Sequence, residues 1–191
     1  LGLLYGRVAT GIIKTQAQLE AAREEFSLWT IFDPYLNLGD IAYEYEDGFW
    51  KEDVIGHATP DFFGGYTNTI NWNRFTLTAL FTFSYGNDLI YQKDVSDSGM
   101  SSLANRGTRV LNHYSEDNTS SNRPRSMWGT TYMLSSLNVY DASYLKLKTL
   151  SLSYNLPESI CRKVRIKSAS VYGTATNVFT ITSYPLSLIH I

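Results

Sequence analysis

Cysteine is almost missing from this chain. Cys161 is the only one among 191 residues, so no intrachain disulfide can form and a stapled secreted mini-domain is excluded. Charge is scarce as well: Asp, Glu, Lys and Arg make up 18% of the chain, below the roughly 25% of an average soluble domain. The formal net charge is −2 and no dense Lys/Arg run occurs, which leaves nucleic-acid binding without an electrostatic footprint. Long apolar runs are absent too. Nothing approaches the roughly 18 residues of a membrane-crossing helix, and mean hydropathy is −0.19. A transmembrane helix is therefore excluded, whereas a barrel is not, because barrel strands alternate lipid-facing with lumen-facing residues and average out. The start, "LGLLYGRVATG", has neither the charged nor the apolar part of a signal peptide. Either the protein is not exported, or this is an internal piece of something larger.

Catalytic patterns are missing in the same way. His57, His113 and His190 are scattered with no H-E-x-x-H or close Cys/His spacing, so no zinc site is expected. No G-x-S-x-G elbow and no Walker or dinucleotide glycine motif appears. Carboxylates do crowd into "YEYEDGFWKED", and Asp40, Glu44, Glu46, Asp47, Glu52 and Asp53 invite a comparison with calcium loops. Such a loop needs oxygen ligands at alternate positions around a Gly turn. Tyr43 and Tyr45 stand where ligands are wanted, so a solvated loop is the stronger expectation, and no metal or other cofactor is assigned.

Aromatics are what the chain has in excess, with 14 Tyr, 9 Phe and 4 Trp. They concentrate in alternating stretches. In "WNRFTLTALFTFSYGN", Phe75, Leu77, Ala79, Phe81, Phe83 and Tyr85 share one face of a strand, while Thr76, Thr78, Leu80, Thr82 and Ser84 share the other. At about 3.3 Å per residue and a tilt near 40°, this strand spans about 25 Å, the height of an outer-membrane apolar band. "YTNTINW" before it places Tyr66, Ile70 and Trp72 on one face, with Asn68 breaking the pattern, and Asn73-Arg74 makes the hairpin connection. "ASYLKLKTLSLSYNLP" alternates with a register shift between Leu147 and Leu150 that suggests a bulge. "SASVYGTATNVFTI" sets Ala169, Val171, Gly173 and Ala175 against Ser170, Tyr172, Thr174 and Thr176.

Elsewhere the text is different. Residues 5–13 read as the end of a strand, and "TQAQLEAAREEF" as a short amphipathic helix capped by Thr15 and Gln18, with Leu19, Ala22 and Phe26 on one face. From Ser27 to Phe63, and again over 86–141, the chain reads as long polar loops, while the connections at Asn73-Arg74 and 155–165 are short. Short and long connections alternate, as in outer-membrane barrels.

In this order, "GIIKTQAQLEAA", "GDIAYEYEDGFWKEDVIGHATPDFFGGYTNTINWNRFTLTALFTFSYGNDLIY", "NRPRSMW", "VYDASYLKLKTLSLSYNLPESI" and "VYGTATNVFTITSY" resemble the C-terminal barrel region of the SusC/RagA-type TonB-dependent outer-membrane transporters, over roughly residues 5–184. The resemblance implies an all-β fold: a partial antiparallel transmembrane β-barrel, a fragment of a 22-stranded barrel, with long extracellular loops and a short loop helix. It implies import of oligosaccharides or peptides across the outer membrane of a Gram-negative bacterium, with no enzymatic activity. The partners would be a SusD-like surface lipoprotein as a lid, TonB–ExbB–ExbD acting through an N-terminal plug upstream of this sequence, and outer-membrane lipid. Phe75, Leu77, Ala79, Phe81, Phe83 and Tyr85 would face lipid, with Trp72 and Phe75 in the periplasmic aromatic girdle. Trp50 and Trp128 are the candidates for substrate or lid contact. Residues 1–185 would form the barrel segment. The closing "LSLIHI" leaves the family pattern and reads like a translated sequencing adapter, so residues 186–191 are expected to be an assembly artefact.

Four to six strands cannot close such a barrel, and alone they would leave open edges and an uncovered apolar face. The rival reading is a soluble β-sandwich that binds glycans, in which the Phe/Leu/Ala face is the core. Sandwich strands usually run about five or six residues, which fits the eleven-residue Phe75–Tyr85 stretch poorly.

Overall fold

The computed structural model describes residues 2–25, 36–98, 105–126 and 133–185. In chain order these form β1 (Leu3–Arg7), β2 (Ala9–Ile12), α1 (Gln16–Glu25), β3 (Ile41–Tyr43), β4 (Tyr45–Glu46), β5 (Phe49–Trp50), β6 (Glu52–His57), β7 (Phe62–Trp72), β8 (Phe75–Tyr85), β9 (Asp88–Ile90), α2 (Gln92–Ser98), β10 (Val139–Asp141), β11 (Tyr144–Asn155), α3 (Glu158–Lys163) and β12 (Ser170–Thr182), with short 3₁₀ turns at Thr108–Asn112 and Ser136–Asn138. No helix among the described residues is long and apolar enough to cross a membrane. The chain divides into two units, Leu1–Ala58 with Leu89–Tyr140, and Thr59–Asp88 with Asp141–Ile191.

The second unit is one antiparallel sheet in the order β12-β11-β8-β7. The β7–β8 register pairs Phe62 with Tyr85, Gly64 with Phe83, Tyr66 with Phe81, Ile70 with Leu77 and Trp72 with Phe75. Phe83, Phe81, Ala79, Leu77 and Phe75 pair in turn with Leu145, Leu147, Leu150, Leu152 and Tyr154 of β11. Paired residues point to the same side of a sheet, so these form one continuous apolar face. The other face is a field of hydroxyls: Thr69 meets Thr78 at 3.3 Å, Thr76 donates to Asn71 at 2.8 Å, and Ser151 meets Thr174 at 3.0 Å. Asn68, the polar intruder on the apolar face, donates to the Tyr66 hydroxyl at 3.0 Å.

Two details refine the expectations. The register break in β11 falls between Leu147 and Thr149: against β8 Lys148 is the extra residue of a bulge, while against β12 two residues, Asn177 (φ 54°) and Val178, stand opposite it, and the apolar set resumes on its original face at Leu150. The first long strand begins at Phe62, four residues before Tyr66, running through a Gly64-Gly65 pair that looks like a turn in the sequence. A Cβ at Gly64 would stand 3.0 Å from Phe83 Cζ, so the ring on β8 covers the glycine and supplies the packing it lacks. At the tight end, Asn73 adopts φ 54° in the two-residue turn, a conformation that asparagine tolerates better than most residues.

The apolar face is not closed by a second sheet within this unit. Ile70, Trp72, Leu152, Val171 and Ile181 are between 48% and 74% exposed, which is not how a sandwich core looks. Only four long strands are present among the described residues, and both outer strands, β7 and β12, have a single pairing partner. Cys161 lies buried on α3 at 1% exposure, as a structural rather than a reactive thiol would.

The other unit is more ordered than its irregular text predicts. Residues 5–13 form two strands rather than one strand end, β1 pairing with β6 and β2 with β3. Asp47 (φ 53°) and Gly48 (φ 82°) make the tight turn between β4 and β5. Each of these strands is two to six residues long, too short for alternation to be counted. The helix follows expectation, with Thr15 Oγ1 accepting the Gln18 N–H at 3.2 Å, Gln18 Oε1 accepting the Thr15 N–H at 3.1 Å, and Leu19 buried. Phe26 lies outside the described residues. A small core of Ile12, Ile41 and Tyr114 with Leu38, Tyr43 and Leu137 holds the unit together.

Candidate functional site

The chemistry of the chain collects in the loop-bearing unit, around two arginines in "NRPRS". Arg125 makes a forked pair with Asp40, Nε to Oδ1 at 2.7 Å and Nη2 to Oδ2 at 3.1 Å. Asp40 also accepts the Asn37 N–H at 2.7 Å. Arg123 Nη1 reaches Asp94 Oδ1 at 2.8 Å, and the Tyr140 hydroxyl donates to Asp94 Oδ2 at 2.8 Å. Asp40 and Asp94 are both buried, so each is a carboxylate taken out of water and compensated by a fixed cation. Pro124 between the arginines holds the backbone extended while the two side chains reach different carboxylates.

Beside this stitch lies a cleft of about 320 Å³, walled by the turn Ser120–Pro124 and by Asn112, Asn138 and Tyr140. Arg109 stacks over the Tyr91 and Tyr140 rings at 5.4 and 6.0 Å. Burial, reinforced by the hydrogen bond to Asp94, pushes the Tyr140 phenol up to about 12. Burial likewise pushes Tyr43 up to about 12, against the lowering pull of Arg7. Both groups are held neutral by the fold. Their contribution to stability is complete below pH 10, where an unfolded tyrosine begins to ionise, and is lost as pH rises toward 12. In an alkaline titration read by tyrosinate absorbance Tyr43 and Tyr140 are expected to ionise late, and Tyr140→Phe should remove one late-ionising group. A titration in which all tyrosines ionise together near pH 10 would contradict this.

The residues singled out from the sequence fall as follows. Trp50 is half-buried on β5, with the Arg7 guanidinium 3.8 Å from its ring centroid and 5.9 Å from that of Tyr43. One ring face of Trp50 is therefore occupied by the protein itself. Trp128 lies outside the described residues. In the acidic stretch Asp40 is held by Arg125, Glu44 by Lys51 at 3.0 Å, and Asp47 sits in the hairpin turn. Among the described residues no three His, Cys, Asp or Glu side chains converge as a metal site would require. His57 is exposed on β6 and His113 Nδ1 lies 2.9 Å from the Val110 carbonyl oxygen.

Sequence reasoning missed Asp94, Arg123, Arg125 and Tyr140. The signal available was the Arg-Pro-Arg spacing inside a polar loop, although nothing in the sequence says which carboxylates those arginines meet.

In the sheet unit, Phe75, Leu77, Ala79, Phe81, Phe83 and Tyr85 do share one face, and aromatic rings gather at both ends of it. Trp72, Phe75 and Tyr154 form one group, with centroids 6.3 Å apart for Trp72–Phe75 and 4.7 Å for Phe75–Tyr154. Phe62, Phe83 and Tyr85 form the other, at 6.1 Å and 5.1 Å from Phe62. Between them lie Ile70, Leu77, Ala79, Leu147, Leu150 and Leu152, with the Tyr66–Phe81 pair and Asn68 among them.

No protein-family model matches the chain. Among curated proteins it is similar to three receptors of Formosa agariphila. It is 34% identical to TonB-dependent receptor P3 over 132 residues, 69% of this chain and 13% of that protein. With TonB-dependent receptor P26 it shares 28% identity over 179 residues, 86% of this chain and 17% of that protein. TonB-dependent receptor P39 is 25% identical over 164 residues. The chain thus spans 13% to 17% of the length of these relatives. Among solved structures its fold is like that of the RagAB peptide importer in the open-open state, with TM-score 0.67 and 24% identity over 95% of this chain and 19% of that one. The closed-closed state gives the same TM-score at 25% identity. The two-faced sheet, its aromatic ends and these likenesses agree, and the chain belongs to the SusC/RagA-type TonB-dependent receptors.

Proposed function

We propose that this chain builds part of the barrel wall and outer loops of a nutrient importer in the outer membrane of a Gram-negative bacterium. The observation that carries the reading is the two-faced sheet: a continuous apolar face with aromatic groups at both ends, backed by a face of Thr, Ser and Asn. On this reading Phe75, Leu77, Ala79, Phe81, Phe83 and Tyr85 face lipid, and the hydroxyl face lines a wet interior. Closure of the wall needs strands beyond those described here, completing the 22-stranded barrel of the family.

The work of transport is import of oligosaccharides or peptides, energised by TonB–ExbB–ExbD through a plug that belongs to the rest of the receptor. A SusD-like surface lipoprotein covers the outer loops, where Trp50 and Trp128 are the proposed contacts to substrate or lid. The wall has no catalytic role and needs no bound cofactor. Recognition of the RagAB peptide importer as a structural neighbour supports import as such and leaves peptides and oligosaccharides both in play.

The test is a pair of single-cysteine receptors, Leu77→Cys and Thr78→Cys, made in a background in which Cys161 and every other cysteine of the receptor is replaced by Ser, each labelled with a fluorophore and reconstituted into vesicles of brominated lipid. Strong quenching at position 77 and little at 78 is expected. Equal quenching at both, or the reverse order, would sink the lipid-facing assignment.

A further inference from the structure

Charge in the sheet unit is sorted by end. Three aspartates, Asp61, Asp88 and Asp141, stand where the long strands run into the long loops: the Asp61 N–H donates to the Tyr85 carbonyl at 2.9 Å, Asp88 follows Tyr85 by three residues, and Asp141 precedes Tyr144, the partner of Ser84, by three. The opposite end, at the two short connections, is basic. Arg74 occupies the turn between β7 and β8, and Arg162, Lys163, Arg165 and Lys167 crowd into the connection between β11 and β12. The net charge of −2 for the whole chain hides this cluster.

The cluster is built into the fold. The Asn155 N–H donates to the Arg74 carbonyl at 2.9 Å, tying the two short connections together, and the Leu156 N–H donates to the Ala169 carbonyl at 2.9 Å, closing the longer one. Cys161 is buried within it, and the Ile166 N–H returns to the Cys161 carbonyl at 3.0 Å. The buried thiol thus anchors a turn that is otherwise surface. Glu158, the carboxylate of this turn, pairs with Arg162 at 3.1 Å, where both side chains are exposed and solvent screens the pair. Lys163, Arg165 and Lys167 are exposed and Arg74 is half-buried, and none of these four has a carboxylate partner among the described residues. Their charge is left for something outside the unit.

The surroundings say what that is. Ile160, Val164 and Ile166 are exposed among the cations, and Arg74 lies in the chain between Trp72 and Phe75, which with Tyr154 form the aromatic group ending the apolar face. Cations interleaved with apolar side chains and continuous with an apolar face suit a boundary between acyl chains and anionic headgroups. We infer that this rim docks on anionic glycerophospholipid, with Arg74, Lys163, Arg165 and Lys167 at the headgroup phosphates. The inference rests on the lipid-facing reading of the sheet and adds the lipid charge that one end of it selects. Outer-membrane barrels keep their short turns on the periplasmic side, so the leaflet concerned is the inner one. An acidic protein surface would satisfy the charges, but it would not explain why they begin inside the aromatic group of the apolar face.

The experiment is native mass spectrometry of the full-length receptor in detergent, titrated separately with phosphatidylglycerol, with phosphatidylcholine of the same acyl chains, and with lipid A. Phosphatidylglycerol is expected to bind more tightly than phosphatidylcholine, and less so as salt is raised. In the triple variant Lys163→Gln, Arg165→Gln and Lys167→Gln its affinity should fall roughly fivefold for each cation removed, on the order of a hundredfold in all. The exchange Lys163→Arg, Arg165→Lys and Lys167→Arg keeps the charge and should keep the preference, which separates lost charge from a misfolded turn. Equal binding of the two phospholipids, or a preference unchanged in the neutral triple variant, would overturn the inference and hand the cluster to an acidic protein surface. A triple variant that loses lipid A and keeps phosphatidylglycerol would overturn it too, because the rim would then belong to the other leaflet. The quenching pair at positions 77 and 78 is scored separately. Lipid contact at 77 with no preference for phosphatidylglycerol defeats this inference alone, whereas no lipid contact at 77 defeats the wall reading and this inference with it.

Discussion

Ala79→Arg should destabilise the folded receptor by about 2–4 kcal/mol, the range for an arginine on the lipid face near the midplane of a membrane barrel. Position 79 is the place to ask for it. Ala79 lies near the middle of β8, flanked in register by Asn68 on one side and Leu150 on the other, with Leu77 and Phe81 above and below it on the same face. Both aromatic groups lie at the ends of the strand, so an arginine here has the longest way to reach a polar headgroup. Thr78→Arg is the control. Its side chain joins Thr69 and Ser151 on the hydroxyl face, and a charge placed in a wet interior is expected to change stability by no more than about 0.5 kcal/mol. The comparison is read as the denaturant midpoint of the receptor in lipid vesicles and as the folded fraction recovered from the outer membrane. If the two variants lose stability equally, the sheet does not have one face in lipid, and the apolar face must be covered by protein.

The sheet was legible because its long strands, each eleven to thirteen residues, carry enough alternation to be counted. Even the bulge showed in advance, since the apolar positions jump from Leu147 to Leu150 and only an extra residue lets both point the same way. Gly64-Gly65 misled because glycine reads as a turn, whereas the Phe83 ring on the neighbouring strand packs over Gly64 within strand β7. The loop-bearing unit was legible only at its helix, where the Thr15 and Gln18 caps are local and need no distant partner. Its strands pair across long stretches of sequence, Leu3 with His57 and Ile12 with Ile41, so no local pattern announces them. The candidate cleft was the least legible feature. It needs Ile41, Asp94, Asn112, Arg123 and Tyr140, residues scattered over the whole unit, to meet around one space. That Arg123 meets Asp94 and Arg125 meets Asp40 is a matter of pairing that composition cannot reveal.

Gly39→Ala should be the most damaging small substitution in the loop-bearing unit. Gly39 has φ +88°, a conformation that a side chain disfavours by about 1–2 kcal/mol. A Cβ there would run into the Tyr114 ring and stand 2.9 Å from the Arg125 Cβ. Neither neighbour can retreat freely. Tyr114 belongs to the unit's core with Ile12 and Ile41, and Arg125 is tied by its side chain to Asp40 and by its N–H to the Gly39 carbonyl at 2.7 Å. Overpacking of such a contact adds about 1–3 kcal/mol. The sum, roughly 2–5 kcal/mol, exceeds what a local unit of this size can lose without opening. The expected outcome is confined to that unit: amides of Ile13, Gly39 and Arg125, whose hydrogen bonds surround the site, should lose hydrogen-exchange protection while those of β8 and β11 keep theirs. Releasing Arg125 also frees the neighbouring Arg123 from its fixed approach to Asp94, so the cleft wall should loosen together with the core. Asp40→Asn separates the two effects, because it removes the charge pair and leaves Gly39 and Tyr114 in place. If Gly39→Ala leaves exchange at Arg125 unchanged, the close packing of Gly39 under Tyr114 does not hold the loops together, and the arginine stitch alone must do so.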